Sequence, residues 1–163
     1  MIEASAHALC RSVEETQRLA ARLAPLLSPG DVLGLFGDLG AGKTCFTKGL
    51  VAGLGGDPDE CTSPTFVLMQ IHPGRLPVYH FDAYRLRAAG DLLALGSDEI
   101  LAADGVSVIE WADRVPGALP ADRLEIHFTV AGPTARALRF LGRGERPAAL
   151  VRALLAQGAL EPD

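Results

Sequence analysis

Gly37-Asp38-Leu39-Gly40-Ala41-Gly42-Lys43-Thr44 is the stretch from which the rest of this chain can be interpreted. It fits the pattern G-x-x-x-x-G-K-[ST], in which a glycine-rich loop wraps a polyphosphate. Glycines let backbone N–H groups turn toward an anion, and Lys43 places a cation against the β- and γ-phosphates. The Thr44 hydroxyl can complete the coordination of a Mg²⁺ ion. The stretch predicts binding of a nucleoside triphosphate, with contacts from Asp38, Leu39, Gly40, Ala41, Gly42, Lys43, Thr44 and Cys45.

The sequence on either side of the loop provides the structural context that a phosphate loop requires. Residues 31–36 have the pattern of a short buried strand, and residues 44–54 have that of a helix. The glycines at positions 53, 55 and 56 can supply the left-handed cap that ends the helix. A strand, a glycine-rich loop and a helix in succession would deliver the phosphates to the positive N-terminal end of the helix.

The composition indicates one ordered domain that spans residues 1–163. The chain is 48% apolar and 21% charged, which is ordinary for a globular protein. No apolar run approaches the roughly 20 residues that span a bilayer, and no signal pattern precedes the domain, so we expect a cytoplasmic protein. The three cysteines lack a C-x-x-C pair, which predicts free thiols and argues against a metal site built on cysteine.

The charge pattern argues against general nucleic-acid binding by this chain. Its formal net charge is −5 at pH 7. One basic stretch, residues 136–152, carries five arginines against a single acidic residue, Glu145. A run of this kind is most often a solvated face, and a surface that contacts a partner or RNA is the alternative.

Periodicity and turn residues predict the remaining elements. Ser12-Val13-Glu14-Glu15 is a capping box that begins a helix, which Pro25 ends or bends. The other predicted elements are a hairpin of residues 65–71 and 76–82, helical pieces within 91–101, a buried strand at 106–111, a hairpin of 124–130 and 135–141, and a helix at 147–157. Hairpins require antiparallel neighbours, so this order predicts a three-layer α/β fold with a mixed parallel and antiparallel sheet.

Two predicted strands end in a carboxylate, at Asp82 and Glu110. A phosphate loop needs a carboxylate on a neighbouring strand to hold Mg²⁺, directly or through water. Each residue alone is commonplace, but beside the loop we expect both to face the metal ion or the attacking water. Aspartate is short and suits the Mg²⁺ shell, whereas glutamate reaches further and suits positioning or activating water. Lys43, Asp82 and Glu110 are therefore the predicted catalytic residues, and Thr44, Asp82 and Glu110 the predicted metal site.

Other polar positions allow two interpretations each. Thr62-Ser63-Pro64-Thr65 can sense a γ-phosphate through its hydroxyl groups, or it is an ordinary turn that enters a strand. Arg85 and Arg87 can neutralise developing phosphate charge or form structural ion pairs. His80 is interpreted as a core histidine with its hydrogen bonds satisfied, and Trp111 as a core residue.

Four motifs occur in this order at close spacing: the phosphate loop at residues 37–44, Ser63-Pro64-Thr65-Phe66, His80-Phe81-Asp82-Ala83-Tyr84-Arg85-Leu86 and Ile109-Glu110-Trp111. This combination resembles the TsaE family, small bacterial ATPases of the tRNA threonylcarbamoyladenosine pathway. The resemblance covers most of the chain and weakens before Ser12 and after about Val130. The combination is far more specific than the phosphate loop alone.

The resemblance implies a P-loop ATPase fold that uses ATP and Mg²⁺ and acts beside two partner proteins, TsaB and TsaD. Together these proteins support transfer of a threonylcarbamoyl group to the adenosine next to the anticodon of tRNA. Thr44, Asp82 and Glu110 match the metal-site and catalytic positions of the family, and Thr65 falls in its switch-like segment. Cys45 stands where the family commonly has a second threonine, a difference that bears on helix packing more than on Mg²⁺ binding.

The alternatives to an ATPase subunit are a small-molecule kinase and a nucleotide-gated adaptor without useful hydrolysis. A kinase would need a lid that brings arginines over the phosphates, for which only Arg85 and Arg87 are placed. A signalling GTPase is disfavoured because the chain has no N-K-x-D segment to read guanine. We expect weak hydrolysis by the isolated chain, because its short Thr62–Thr65 segment is little able to exclude water unaided. We also expect tRNA to bind through the partner complex.

Overall fold

The structure is a computed structural model that describes residues 2–38, 40–61, 69–83 and 104–163. Within these residues the strands are β1 (Ile2–Cys10), β2 (Val32–Phe36), β3 (Met69–His72), β4 (Val78–Asp82), β5 (Val106–Glu110), β6 (Arg123–Val130), β7 (Arg136–Arg143) and β8 (Glu161–Pro162), and the α-helices are α1 (Val13–Leu23), α2 (Lys43–Gly53) and α3 (Glu145–Ala156). None of the described helices is long and apolar enough to cross a membrane.

The described strands form one sheet in the order β3-β4-β5-β2-β6-β7-β1-β8. β4, β5, β2 and β6 pair in parallel. β3 pairs antiparallel with β4. On the other side of the sheet the pairs β6–β7, β7–β1 and β1–β8 are also antiparallel. The predicted α/β class with a mixed sheet is therefore confirmed, and β2, which leads into the phosphate loop, lies near the middle of the sheet.

Both predicted hairpins are antiparallel strand pairs, formed by β3 with β4 and by β6 with β7. The predicted helices after the capping box, after the phosphate loop and near the end of the chain correspond to α1, α2 and α3, with ends that differ by one or two residues. Two sequence predictions lie outside the described residues. They are the first part of the strand at 65–71 and the helical pieces within 91–101.

β1 was not predicted from the sequence. Its residues include small alanines such as Ala6 and Ala8, which have low strand propensity. The strand forms because its backbone pairs with β7 along nearly its whole length, with Ala6 opposite Phe140 and Ala8 opposite Leu138. Its other edge pairs with β8. Tertiary pairing thus determines a strand where local sequence gives no strand signal.

Alternation along the central strands divides the described core between the two faces of the sheet. Leu33 of β2 belongs to a large cluster that includes the buried faces of α1, α2 and α3. Val32, the preceding residue, belongs to a smaller cluster with Ile109 and Phe81. Successive side chains of a strand point to opposite faces, so the two clusters form one layer on each side of the sheet. Single 3₁₀ turns at Ala112–Arg114 and Pro116–Ala118 contribute to the smaller layer.

The capping box at the start of α1 forms as predicted, with one difference in its second half. The Ser12 hydroxyl accepts a hydrogen bond from the backbone N–H of Glu15 at 3.1 Å. The Glu15 carboxylate reaches back to the backbone N–H of Arg11 at 2.6 Å, one residue before the cap. Both bonds satisfy backbone groups at the start of the helix, so the local sequence is sufficient to begin α1 here.

Pairing among the parallel strands brings three strand ends to the same edge of the sheet. Glu110, the last residue of β5, is the register partner of Asp82 on β4 and of Leu35 on β2. The phosphate loop leaves β2 directly after Phe36. The carboxyl ends of parallel strands are the usual place for a ligand in an open α/β sheet. The fold therefore sets both carboxylates beside the loop.

The contact between α1 and α2 leads to a stability prediction at Gly49. A Cβ atom at this position would lie 2.6 Å from the Gln17 Cα of α1, so Gly49→Ala forces the two helices apart. We expect the free energy of unfolding to fall by about 1–3 kcal/mol, although alanine favours a helix by about 1 kcal/mol. Urea denaturation followed by circular dichroism measures the change.

Gly132→Ala is the matched control for this experiment. The added Cβ would meet its nearest neighbour, the Ala135 Cβ, at an ordinary 3.6 Å. Its free energy of unfolding should stay within about 0.5 kcal/mol of the unsubstituted chain. Equal stabilities of the two variants would show that the helices can separate without cost.

Candidate functional site

The loop after β2 has the backbone conformation that its glycines allow. Gly42 caps α2 at φ +106°, in the left-handed region that side chains disfavour. A Cβ atom at Gly37 would lie 2.9 Å from the backbone oxygen of Phe128, so the loop packs directly on β6. The first backbone N–H groups of a helix have no partner within it, and α2 begins at Lys43. This end of α2 is therefore suited to an anion.

Lys43 is held inside the loop. Its Nζ donates to the backbone oxygen of Gly37 and, at 3.0 Å, to that of Asp38. The side chain is buried, and Nζ lies 3.8 Å from the centroid of the Trp111 ring. Burial lowers the pKa of Lys43, and the negative charge of Glu110 acts in the opposite direction. These weak carbonyl and ring partners are ones that the ammonium group can exchange for phosphate oxygens.

The structure brings Thr44, Asp82 and Glu110 to one place beneath the loop. Thr44 Oγ1 donates to Glu110 Oε1 at 2.9 Å. Glu110 and Asp82 are register partners on adjacent strands, and their exposed fractions are 2% and 4%. A hydroxyl and two carboxylates form the kind of oxygen set that Mg²⁺ prefers. The residues present therefore fit the ion that the sequence predicted.

His80 connects Glu110 to the interior. It is fully buried on β4, as expected for a core histidine, and its Nε2 contacts Glu110 Oε2 directly. The two oxygens of the Glu110 carboxylate thus have different partners, the Thr44 hydroxyl on one side and the His80 imidazole on the other. The prediction of a core histidine with its hydrogen bonds satisfied is confirmed, although the sequence did not reveal Glu110 as the partner.

Trp111 differs from its interpretation as a core residue. Its side chain is only partly buried and lies under the Lys43 ammonium group. Its backbone adopts φ +59°, the one positive φ among the described non-glycine residues. A bulky residue in this region is strained, and such strain is concentrated at functional sites. No local sequence pattern predicts this conformation, although the position of Trp111 directly after Glu110 indicated that the residue lies near the site.

A cavity of about 520 Å³ lies beside the loop. Residues 40–45, Glu110 and Trp111 line one part of it, so Cys45 is among its walls. The remaining lining residues come from the start of α1 and the β6–β7 turn, and they are Ser12, Val13, Glu14, Thr16, Pro133, Thr134 and Arg136. Its size is within the range of sites for nucleotide-sized ligands.

Comparison with known proteins identifies the family. The model of the family described as "Threonylcarbamoyl adenosine biosynthesis protein TsaE" matches residues 10–138. This chain belongs to the TsaE family. The match covers the phosphate loop, both carboxylates and Trp111.

Individual relatives agree with this assignment. A tRNA threonylcarbamoyladenosine biosynthesis protein TsaE from Treponema pallidum is 45% identical over 74% of this chain and 88% of its own length. One from Bacillus subtilis is 43% identical over 82% of this chain and 83% of its own length. The crystal structure of Bacillus subtilis YdiB superposes with a TM-score of 0.81 at 37% identity, covering 97% of this chain and 98% of that one.

The arginines of the basic stretch at 136–152 each have a partner within the chain. Three of them form ion pairs, Arg139 with Asp163, Arg143 with Glu125 and Arg146 with Asp31. Arg136 donates to the backbone oxygens of Gly132, Ala135 and Gly40. Arg152 donates to the backbone oxygen of Glu3. These contacts favour a structural role over an RNA surface.

Arg136 is a site residue that sequence reasoning did not single out. Its Nη2 donates to the Gly40 oxygen of the phosphate loop at 3.2 Å, and the residue lines the cavity. The sequence placed it only within a basic stretch, because the pairing that brings β7 near the loop is not visible locally.

Of the predicted nucleotide contacts, Asp38 supplies its backbone oxygen to Lys43, and Leu39 and Thr65 lie outside the described residues. So do Arg85 and Arg87.

Cys45 has a packing contact that its place in the helix explains. Its thiol lies 3.6 Å from the backbone oxygen of Val13, at the start of α1. Burial raises the pKa of Cys45, so the thiol stays protonated and can donate to this oxygen. The residue thus joins the first turns of α1 and α2, in agreement with the expectation that it bears on helix packing.

The contact between Lys43 and Trp111 predicts a fluorescence change. Trp111 is the only tryptophan of the chain, so its emission reports on the ammonium group 3.8 Å away. Lys43→Met removes the cation and should alter the intensity or maximum of emission in the nucleotide-free protein. Lys48→Met is the matched control, since Lys48 is the only other lysine, and it should retain the original spectrum. Identical spectra for all three proteins would contradict the contact.

Proposed function

We propose that this chain is the ATP-binding and ATP-hydrolysing subunit of a complex with TsaB and TsaD. In this proposal the complex transfers a threonylcarbamoyl group to the adenosine next to the anticodon of tRNA. The pathway is that of the family to which the chain belongs. The ATPase activity, the Mg²⁺ ion, the two partners and the cytoplasmic location are part of the proposal.

One observation carries the ATPase part of this proposal. The Thr44 hydroxyl, in the first turn of the phosphate-loop helix, is hydrogen-bonded to Glu110 at the end of β5. This contact sets a buried carboxylate beside the loop that would hold the phosphates. Mg²⁺-dependent binding of a nucleotide needs one carboxylate, which Asp82 would supply, whereas hydrolysis also requires a group that positions water, the role proposed for Glu110.

Each site residue has its own role in the proposed hydrolysis of ATP. Thr44 and Asp82, with Glu110 directly or through water, would hold Mg²⁺, which when bound neutralises charge on the phosphates. Lys43 would leave the carbonyl groups of Gly37 and Asp38 and place its charge against the β- and γ-phosphates. Glu110 would orient the attacking water with the carboxylate that now accepts the Thr44 hydroxyl. Thr65 would approach the γ-phosphate.

Two features support dependence on partner proteins. Among the described residues the cavity is lined by the loop, the end of β5, the start of α1 and the β6–β7 turn, and a partner surface over its opening would exclude water from the phosphates. The net charge of −5 and the internal pairing of the arginines leave tRNA contacts to the partners. ATP would control assembly as well as provide energy.

Substitutions at three positions should separate binding from turnover. Lys43→Ala should weaken ATP binding at least about tenfold because a charge-assisted contact to phosphate is lost. Asp82→Ala should weaken only the Mg²⁺-dependent part of binding, whereas Glu110→Ala should retain binding and lower turnover about a hundredfold or more. Titration of labelled ATP with and without Mg²⁺, together with phosphate release, measures these effects.

Lys48→Ala is the control for the lysine substitution and should bind ATP like the unsubstituted chain. Loss of metal-dependent binding in Glu110→Ala with full binding in Asp82→Ala would reverse the two assignments. Unchanged binding and turnover in a folded Lys43→Ala protein would overturn the nucleotide site.

The decisive test of the whole function measures ATP turnover and tRNA modification with TsaB and TsaD present or withheld one at a time. We expect slow turnover by the chain alone, faster turnover with both partners, and tRNA modification only in the complete mixture. Thr65→Ala should weaken the nucleotide-dependent association with the partners. Fast hydrolysis that the partners leave unchanged, or phosphoryl transfer to a small metabolite, would contradict the proposal.

A further inference from the structure

A second group of metal-binding side chains lies in the core behind Glu110. Cys61 follows the 3₁₀ turn Pro58–Glu60, His72 ends β3 and His80 lies in β4. Their exposed fractions are 0%, 4% and 0%. One candidate ligand atom from each residue lies within 4.8 Å of the other two. Three residues that are distant in the sequence thus bring a sulfur and two nitrogens within 4.8 Å of one another.

The tautomer of His80 follows from its contact with Glu110. In the neutral imidazole, a proton on Nε2 lets His80 donate a hydrogen bond to the Glu110 carboxylate that this nitrogen contacts. The other nitrogen, Nδ1, then has a lone pair, and it faces His72 Nε2 at 3.3 Å and Cys61 Sγ at 3.9 Å. A single lone pair cannot serve two donors well. A metal-ligating histidine has the same arrangement, with a carboxylate on one nitrogen and the metal on the other.

Two of the three separations among these ligand atoms are close to those around a tetrahedral zinc ion. Zinc–nitrogen bonds of about 2.0–2.1 Å at a tetrahedral angle place two nitrogens about 3.3 Å apart. The His72 and His80 nitrogens are separated by 3.3 Å. A zinc–sulfur bond of about 2.3 Å calls for a nitrogen–sulfur separation near 3.6 Å, so the 3.9 Å of Cys61 requires only a small shift.

We propose that Cys61, His72 and His80 form a binding site for a zinc ion. One thiolate and two imidazoles select Zn²⁺ over Mg²⁺, which prefers oxygen ligands, so this site and the oxygen set at Thr44 take different ions. Within the described part of the chain three ligands are supplied, which leaves one position of a tetrahedral shell for water. On binding, the Cys61 S–H bond breaks, its proton passes to solvent, and a zinc–sulfur bond forms.

The zinc site would share Glu110 with the phosphate loop. His80 would bind zinc through Nδ1 while its Nε2–H holds one oxygen of Glu110, whose other oxygen accepts the Thr44 hydroxyl. The ion would therefore hold the imidazole ring, and through it the carboxylate, in one orientation. Its role is structural, and the site does not depend on the proposed ATPase activity.

A catalytic thiol is the other use for a cysteine beside histidines, and the surroundings of Cys61 argue against it. Burial and the nearby Glu110 charge raise the pKa of Cys61 to about 12. Without a cation the thiol stays protonated, and a protonated buried thiol is a poor nucleophile. A bound dication reverses this preference, because a coordinated thiol is deprotonated.

The first experiment uses the whole chain without a polyhistidine tag, stripped by a chelator and kept in excess Mg²⁺ so that the oxygen site is filled. Co²⁺ is added as a spectroscopic substitute for Zn²⁺. We expect one equivalent to produce the visible bands of tetrahedral cobalt and a near-ultraviolet band from thiolate–cobalt charge transfer. Zn²⁺ should then displace Co²⁺ and abolish these bands. Absence of the thiolate band from the folded chain would overturn the proposal, whatever the variants do.

The second experiment compares two cysteine substitutions at buried positions. Cys61→Ala should lose the thiolate band and the bound equivalent, whereas Cys10→Ala should retain both, since Cys10 is also buried but stands outside the cluster. His72→Ala provides an independent loss of one ligand, and circular dichroism checks that each variant is folded. Equal metal content in Cys61→Ala and Cys10→Ala, measured by elemental analysis, would contradict the site.

Discussion

The carboxylate of Glu110 is the group on which the arrangement of the site depends. With an exposed fraction of 2%, it lies where an unpaired charge is costly, so its oxygens need partners. Those partners are the Thr44 hydroxyl of α2 and the His80 imidazole of β4. A buried charge that loses one of its partners is strongly destabilising, so these contacts restrain two strands and the phosphate-loop helix relative to one another.

The position of this carboxylate follows from the parallel part of the sheet. β2 lies between β5 and β6, and the register places Leu35 beside Glu110 directly before the loop begins. On the opposite side of the loop helix, Gly49 lets α2 approach the backbone of α1 closely. The register of the sheet determines where the loop starts, and the contact between α1 and α2 determines the direction of the helix that follows the loop.

The phosphate loop is held together by the lysine that defines its motif. Lys43 bonds to loop carbonyl groups and lies over Trp111, so the cation is sequestered from water. Binding of an anion would exchange these partners for stronger ones without the need to build the loop anew. The strained backbone of Trp111 belongs to the same arrangement, since it turns the ring beneath the ammonium group.

The sequence by itself determined the features that depend on near neighbours: the phosphate loop, the cap of α1, the two hairpins and the strand ends at Asp82 and Glu110. Spacing along the chain decides these, because turns, caps and strand alternation involve residues a few positions apart. Only the tertiary structure decided that β1 is a strand, that Trp111 lies under Lys43 and that Cys61 meets His72 and His80. The physical reason is that these contacts join residues distant in sequence, and their geometry is set by strand pairing and packing.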